Sequence, residues 1–202
     1  MTLIQSQLTE LKTLTNEAEQ DTIRIEGKLY SLDNLPKSLT CYEEPYLALD
    51  FKHKAIQQLP ERICGHTIAL HSLCSDNLEY LIPCEIYTND LIIDTCDVEL
   101  LRHLNVYNVN KVTLQYCYGN FMNYMPKVNQ DGRIKNLHIR YCNNITTLPG
   151  FDIEESLVCE SNSQLTEISP TLCVGANLTL DNNPLLREIP TSIQVQGGIY
   201  LS

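Results

Sequence analysis

The sequence predicts an α/β solenoid, mostly β, in which about nine short parallel strands stack behind an N-terminal capping helix. Three observations predict it. Apolar-x-apolar tripeptides recur nine times along the 202 residues at a nearly constant interval. Two of the units agree in residue type at six fixed positions. A proline follows an apolar residue at a similar place in most units.

The tripeptides span Ile23/Ile25, Leu47/Leu49, Ile68/Leu70, Leu91/Ile93, Val112/Leu114, Leu137/Ile139, Leu157/Cys159, Leu178/Leu180 and Ile199/Leu201. Their starts lie 24, 21, 23, 21, 25, 20, 21 and 21 residues apart. Alternation of apolar residues marks a short strand with one buried face. A repeat of this length brings the chain back to the same side, so successive strands pair in parallel. The fullest units are LHIRYCNNITTLP, from Leu137 to Pro149, and LTLDNNPLLREIP, from Leu178 to Pro190. Each reads apolar at positions one, three, nine and twelve, Cys or Asn at six, and Pro at thirteen.

Position six is Cys96, Cys117, Cys142, Asn162 and Asn183 in five consecutive units. The chain turns off the sheet there, and a small polar side chain pointing inward supplies hydrogen bonds to backbone groups that have lost their ladder partners. Position six is Lys28, Lys52 and Leu73 in the first three units, and Cys74 lies one residue late, which predicts a local bulge. Pro36, Pro60, Pro83, Pro126, Pro149 and Pro190 fix extended return legs. The first, third and fifth units are longer, with the extra residues expected in loops.

This pattern resembles the leucine-rich-repeat family, in the short-repeat form of bacterial and viral proteins with Cys or Asn at the turn. The resemblance covers residues 22–202 and is strongest from Leu91 onward. It implies a curved right-handed coil with a parallel sheet on its concave side and return legs of extended or 3₁₀ backbone.

Residues 1–21 are expected to form the capping helix. Leu3, Ile4, Leu8, Leu11 and Leu14 share one helical face, and Thr2 with Gln5 matches a capping box. At the other end the strand signature Ile199-Tyr200-Leu201 carries no cap, which leaves an edge able to pair with another chain.

The formal net charge of −11 argues against nucleic acid or an anionic membrane as partner and favours a protein with a basic face. The N-terminus lacks a secretory pattern, and no apolar stretch approaches a membrane span. A soluble protein is expected, cytoplasmic or delivered into a host cell by a route that needs no signal peptide. Nine cysteines, an odd count with no C-x-x-C pair, read as reduced and buried. The sequons at Asn144 and Asn177 carry no weight without a secretory route.

Function is expected on the solvent face of the sheet. Position four runs Glu26, Asp50, His71, Asp94, Gln115, Arg140, Glu160, Asp181 and Ser202. Position five adds Phe51, Tyr116 and Tyr141, and position two adds Arg24, Ile92, His138 and Tyr200. The partner-binding centre is placed at Tyr116, His138, Arg140 and Tyr141, flanked by Asp94 and Gln115, because aromatic and Arg side chains concentrate interface energy. The five histidines lack metal-site spacing, and no phosphate loop or serine elbow occurs. No catalysis, metal or cofactor is therefore expected. The reading is a non-catalytic recognition module, either a delivered effector or part of a larger receptor-like protein. Its alternative is an assembly protein that associates through the uncapped C-terminal edge.

Overall fold

A computed structural model describes residues 22–25, 28–31, 34–51, 59–73, 83–119, 127–128 and 132–202. Its strands run β1 (Thr22–Ile25), β2 (Lys28–Ser31), β3 (Ser38–Asp50), β4 (Arg62–His71), β5 (Cys84–Tyr87) and β6 (Asp90–Asp94). Next come β7 (Leu104–Tyr107), β8 (Lys111–Gln115), β9 (Lys127–Val128), β10 (Ile134–Arg140), β11 (Thr147–Leu148) and β12 (Asp152–Glu160). The last are β13 (Glu167–Ile168), β14 (Cys173–Val174), β15 (Leu178–Thr179), β16 (Gln194–Val195) and β17 (Ile199–Tyr200).

Eight of the nine tripeptides stack in one parallel column, β3-β4-β6-β8-β10-β12-β15-β17. Their first residues are direct partners throughout, from Leu47 opposite Ile68 to Leu178 opposite Ile199. Parallel pairing over so many units needs identical register, because a slip of one residue would turn every apolar side chain to solvent. The inward residues of this column, from Leu47 to Leu180, are buried and belong to one continuous core.

The first tripeptide behaves differently. Ile23 and Ile25 sit in β1, which pairs antiparallel with β2 and not with the column. Only two residues separate these strands, and a link that short closes an antiparallel hairpin but never a parallel pair. The expected helix over residues 1–21 and the bulge at Cys74 lie outside the described residues. Among the described residues helix is scarce, the principal piece being a 3₁₀ segment, Val98–His103, capped by Asp97. The described residues thus form a mostly β parallel solenoid with almost no α component. No helix among the described residues is long and apolar enough to cross a membrane.

A second parallel column precedes the first in each coil. The N-terminal halves of β3 and β4 pair with each other, and β4 continues to β5, β7 and β9. Further along, Ile153 of β12 lies between Ile134 and Val174, and Val174 pairs with Val195. A third, small ladder joins β11 to β13 on the return leg. In β3, four residues separate Cys41 from Tyr46 where β4 has only one between Gly65 and Thr67. The surplus bulges outward and leaves Tyr42 and Tyr46 exposed.

The corner after the first column is held by the position-six side chains. Each donates to the carbonyl of position three in the preceding coil: Cys96 to Leu70 at 3.5 Å, Cys117 to Ile93 at 3.3 Å and Cys142 to Leu114 at 3.6 Å. Asn162 donates likewise to Ile139 at 3.2 Å, and Asn183 to Cys159 at 2.8 Å. The same side chains accept from backbone N–H groups one coil back. Leu73 donates to Cys96 Sγ at 3.3 Å, Cys142 to Asn162 Oδ1 at 2.9 Å and Asn162 to Asn183 Oδ1 at 3.0 Å. All of these residues are buried.

Three substitutions test this packing. Asn162→Ala strands the Cys142 N–H and the Ile139 carbonyl, and should cost about 2–4 kcal/mol in urea unfolding. Cys142→Ser keeps a donor at the turn and should cost less. Gly175→Ala places a methyl group against the Glu154 carbonyl of the neighbouring coil, so it should destabilise more than an Ala substitution at the exposed Ser192.

Candidate functional site

Position four forms an unbroken cross-strand row. Asp50, His71, Asp94, Gln115, Arg140 and Glu160 are successive direct partners. Their side chains alternate away from the core residues beside them and reach solvent to varying degrees. His71 Nδ1 donates to Asp94 Oδ2 at 3.0 Å, and Nε2 lies 3.4 Å from the Tyr46 hydroxyl. Thr95 Oγ1 donates to the other carboxylate oxygen of Asp94 at 2.9 Å. Arg140 Nε lies 3.3 Å from Glu160 Oε2, an ion pair by distance but without hydrogen-bond alignment.

Position five is a left-handed corner in six successive coils. Ser72, Thr95, Tyr116, Tyr141, Ser161 and Asn182 have φ of 59°, 55°, 51°, 56°, 57° and 54°. Of these residue types only Asn favours such a φ, and for Thr and Tyr it is costly. The geometry persists because each corner N–H donates to the position-four carbonyl of the next coil, as in Tyr116 to Arg140 and Tyr141 to Glu160, both at 3.1 Å. The left-handed step turns position five outward and position six inward.

Two consecutive corners carry Tyr116 and Tyr141, which are 54 % and 41 % exposed. Their rings stack with centroids 5.0 Å apart and planes 11° from parallel. That spacing is close to the strand separation of about 4.8 Å, so the rings lie flat across the stacking axis. Such a pair adds about 0.5–1.5 kcal/mol to its burial. The neighbouring corners, Thr95 and Ser161, are small, so the outer ring faces are uncovered by bulk.

His138 occupies position two between Thr113 and Val158. It is half-buried, and its Nδ1 has no hydrogen-bond partner. Burial first, and then the charges of Lys111 and Arg140, push its pKa down to about 4. It is therefore neutral at pH 7.

The structure brings Tyr116, His138, Arg140, Tyr141 and Gln115 together on two adjacent coils, with Asp94 on the next. Phe51, expected on the solvent face, is instead fully buried. It lies outside the left-handed series, so its side chain turns into the core.

The buried thiols are poor nucleophiles. Burial pushes Cys84 and Cys159 up to about 12, and raises Cys96 as well. Cys117 is raised by its hydrogen bond with Cys142 and then by burial. Burial and then Asp94 raise Tyr46, the opposite of an activated phenol. Among the described residues no group of three or more His, Cys, Asp or Glu is placed to hold a metal ion.

Sequence reasoning missed a second surface. A cleft of about 560 Å³ opens on the other column, lined by Lys37, Ser38, Glu61, Arg62, Glu85 and Asn105. Arg62 donates to Glu85 Oε2 at 3.0 and 2.7 Å and lies over the Tyr87 ring, which stacks on Tyr107 at 4.8 Å. Lys37 pairs with Glu61 at 3.0 Å. Its charges are matched internally, leaving little unbalanced charge to recognise a ligand. The signal was present as Arg62 and Glu85, opposite charges 23 residues apart at equivalent places in successive coils.

The low His138 pKa has a testable sign. The unfolded chain, with a pKa of about 6.5, binds a proton before the folded one does. Between about pH 6.5 and 4 the His138 contribution to stability should therefore fall as pH falls. NMR titration should show a His138 midpoint near 4, and His138→Gln should flatten the stability profile in that window. A midpoint above 6 would contradict the burial.

Comparison of the chain with protein-family models, curated proteins and solved structures returned no match.

Proposed function

We propose that this chain is a non-catalytic recognition module of the leucine-rich-repeat kind, which binds a protein partner through the solvent face of its first column. Support for the repeat reading comes from the in-register tripeptides and the Cys/Asn ladder. The observation that carries the function is the exposed Tyr116–Tyr141 stack on an otherwise polar face. Aromatic groups held at two adjacent corners lose little entropy on binding and present a large amphipathic surface. Against an enzymatic role stand the raised pKa values of the buried thiols and of Tyr46. The work fits the cytoplasm, or a host cell that receives the protein as an effector.

A second reading, association through the last strand, draws on one observation. Ile199, Tyr200 and Leu201 are 43 %, 54 % and 62 % exposed. Concentration-dependent sedimentation that Leu201→Lys abolishes would favour it.

Panning a phage-displayed peptide library against the protein tests the leading reading. Enriched peptides should lose at least tenfold in affinity for the Tyr116→Ala/Tyr141→Ala variant, with its circular dichroism unchanged. Peptides that bind both proteins equally would move the site elsewhere.

A further inference from the structure

The stack is two rings thick and bounded on each side by a small corner residue. Thr95 flanks Tyr116 and Ser161 flanks Tyr141. Each outer ring face therefore overlooks a notch, and each notch has a carboxylate beside it at position four. Asp94 borders the first notch, one coil from Tyr116. Asp181 borders the second, tied to the Ser161 corner by the Ser161 N–H bond to its carbonyl at 3.0 Å, while Glu160 is engaged by Arg140. An aromatic face next to a carboxylate is the pairing that holds a guanidinium or ammonium group, by cation–π attraction and an ion pair together.

The basic groups nearby do not cancel this arrangement. Arg140 pairs with Glu160 Oε2 at 3.3 Å, so those two charges match each other and leave Asp94 and Asp181 as the acidic groups of the notches. Lys111 sits at the start of its strand, beside Asp90 and Asn136, four residues before the position-four row. The net charge of −11 adds a long-range field of the same sign.

The two notches lie three strand spacings apart, from the Thr95 coil to the Ser161 coil. At about 4.8 Å per strand this is about 14 Å. An extended chain advances about 3.3 Å per residue, so side chains four residues apart on one face span nearly the same distance. We propose that the tyrosine pair is straddled by an extended basic peptide that runs across the strands and seats two Arg or Lys side chains, at positions i and i+4, in the notches. This rests on the recognition reading and adds the chemistry and spacing of the partner.

The test uses three capped eleven-residue Gly/Ser peptides carrying a fluorophore, titrated by anisotropy at low salt. One has Arg at positions 4 and 8, one has Arg at 4 and 5, and one has Glu at 4 and 8. The first should bind at least threefold more tightly than the second, and the third should not bind. Tyr116→Ala and Tyr141→Ala should each cost about two- to fivefold, the range of an exposed cation–π contact. Tyr116→Phe should retain binding, and Asp181→Asn should weaken it and reduce its salt dependence. Equal affinity for the two Arg spacings, unchanged affinity in both Ala variants, or no binding of any peptide would overturn the proposal. If library peptides still depended on the tyrosines, the recognition reading would survive that failure. If they did not, both would fall.

Discussion

The fold depends on how the chain leaves its sheet in each coil without stranding backbone groups. A parallel strand that ends in a corner exposes a carbonyl and an N–H with no ladder partner, and burying them unpaired would cost about 1–3 kcal/mol each. The Cys/Asn series meets this need by reaching one coil back to both groups. Each bond also ties one coil to the next, so the same atoms that close the corner set the register of the stack.

That corner explains why a surface of interest exists at all. Inward rotation of position six requires a left-handed step at position five, which throws the preceding side chain outward. In most coils the side chain thrown out is Ser, Thr or Asn. In two adjacent coils it is Tyr, and the strand spacing alone brings the rings to stacking distance. The stack is thus a direct product of the backbone ladder. A rigid platform of this kind resists collapse into the surface, because the corner dihedral is held by bonds on both neighbouring coils.

The first column was legible because its signal is dense: two inward apolar residues per unit at fixed distance from the Cys or Asn. Eight segments and all five ladder residues follow from that pattern. The second column was not, since its buried pairs Leu39/Cys41, Cys84/Ile86 and Leu104/Val106 do not recur in the later coils, where β14 buries only Val174 and β16 half-buries only Val195. Ile23 and Ile25 mimicked the pattern, but the two-residue link to β2 decided their pairing. At the candidate site, the placement of Tyr116, Tyr141, His138 and Arg140 on two adjacent coils followed from their place in the repeat. The stacking, the left-handed corners and the depressed His138 pKa were not, because Ser, Thr and Tyr give no sequence hint of a positive φ. Phe51 shared the numbering of the corner but not its backbone.

The central claim is that consecutive coils pair in parallel and in register along one column. Interstrand NMR contacts in the labelled protein test it most directly. The account predicts that Leu137 meets both Val112 and Leu157, and Ile139 both Leu114 and Cys159, with the one-directional pattern of parallel strands. Contacts in antiparallel order, or none linking these residues, would contradict it.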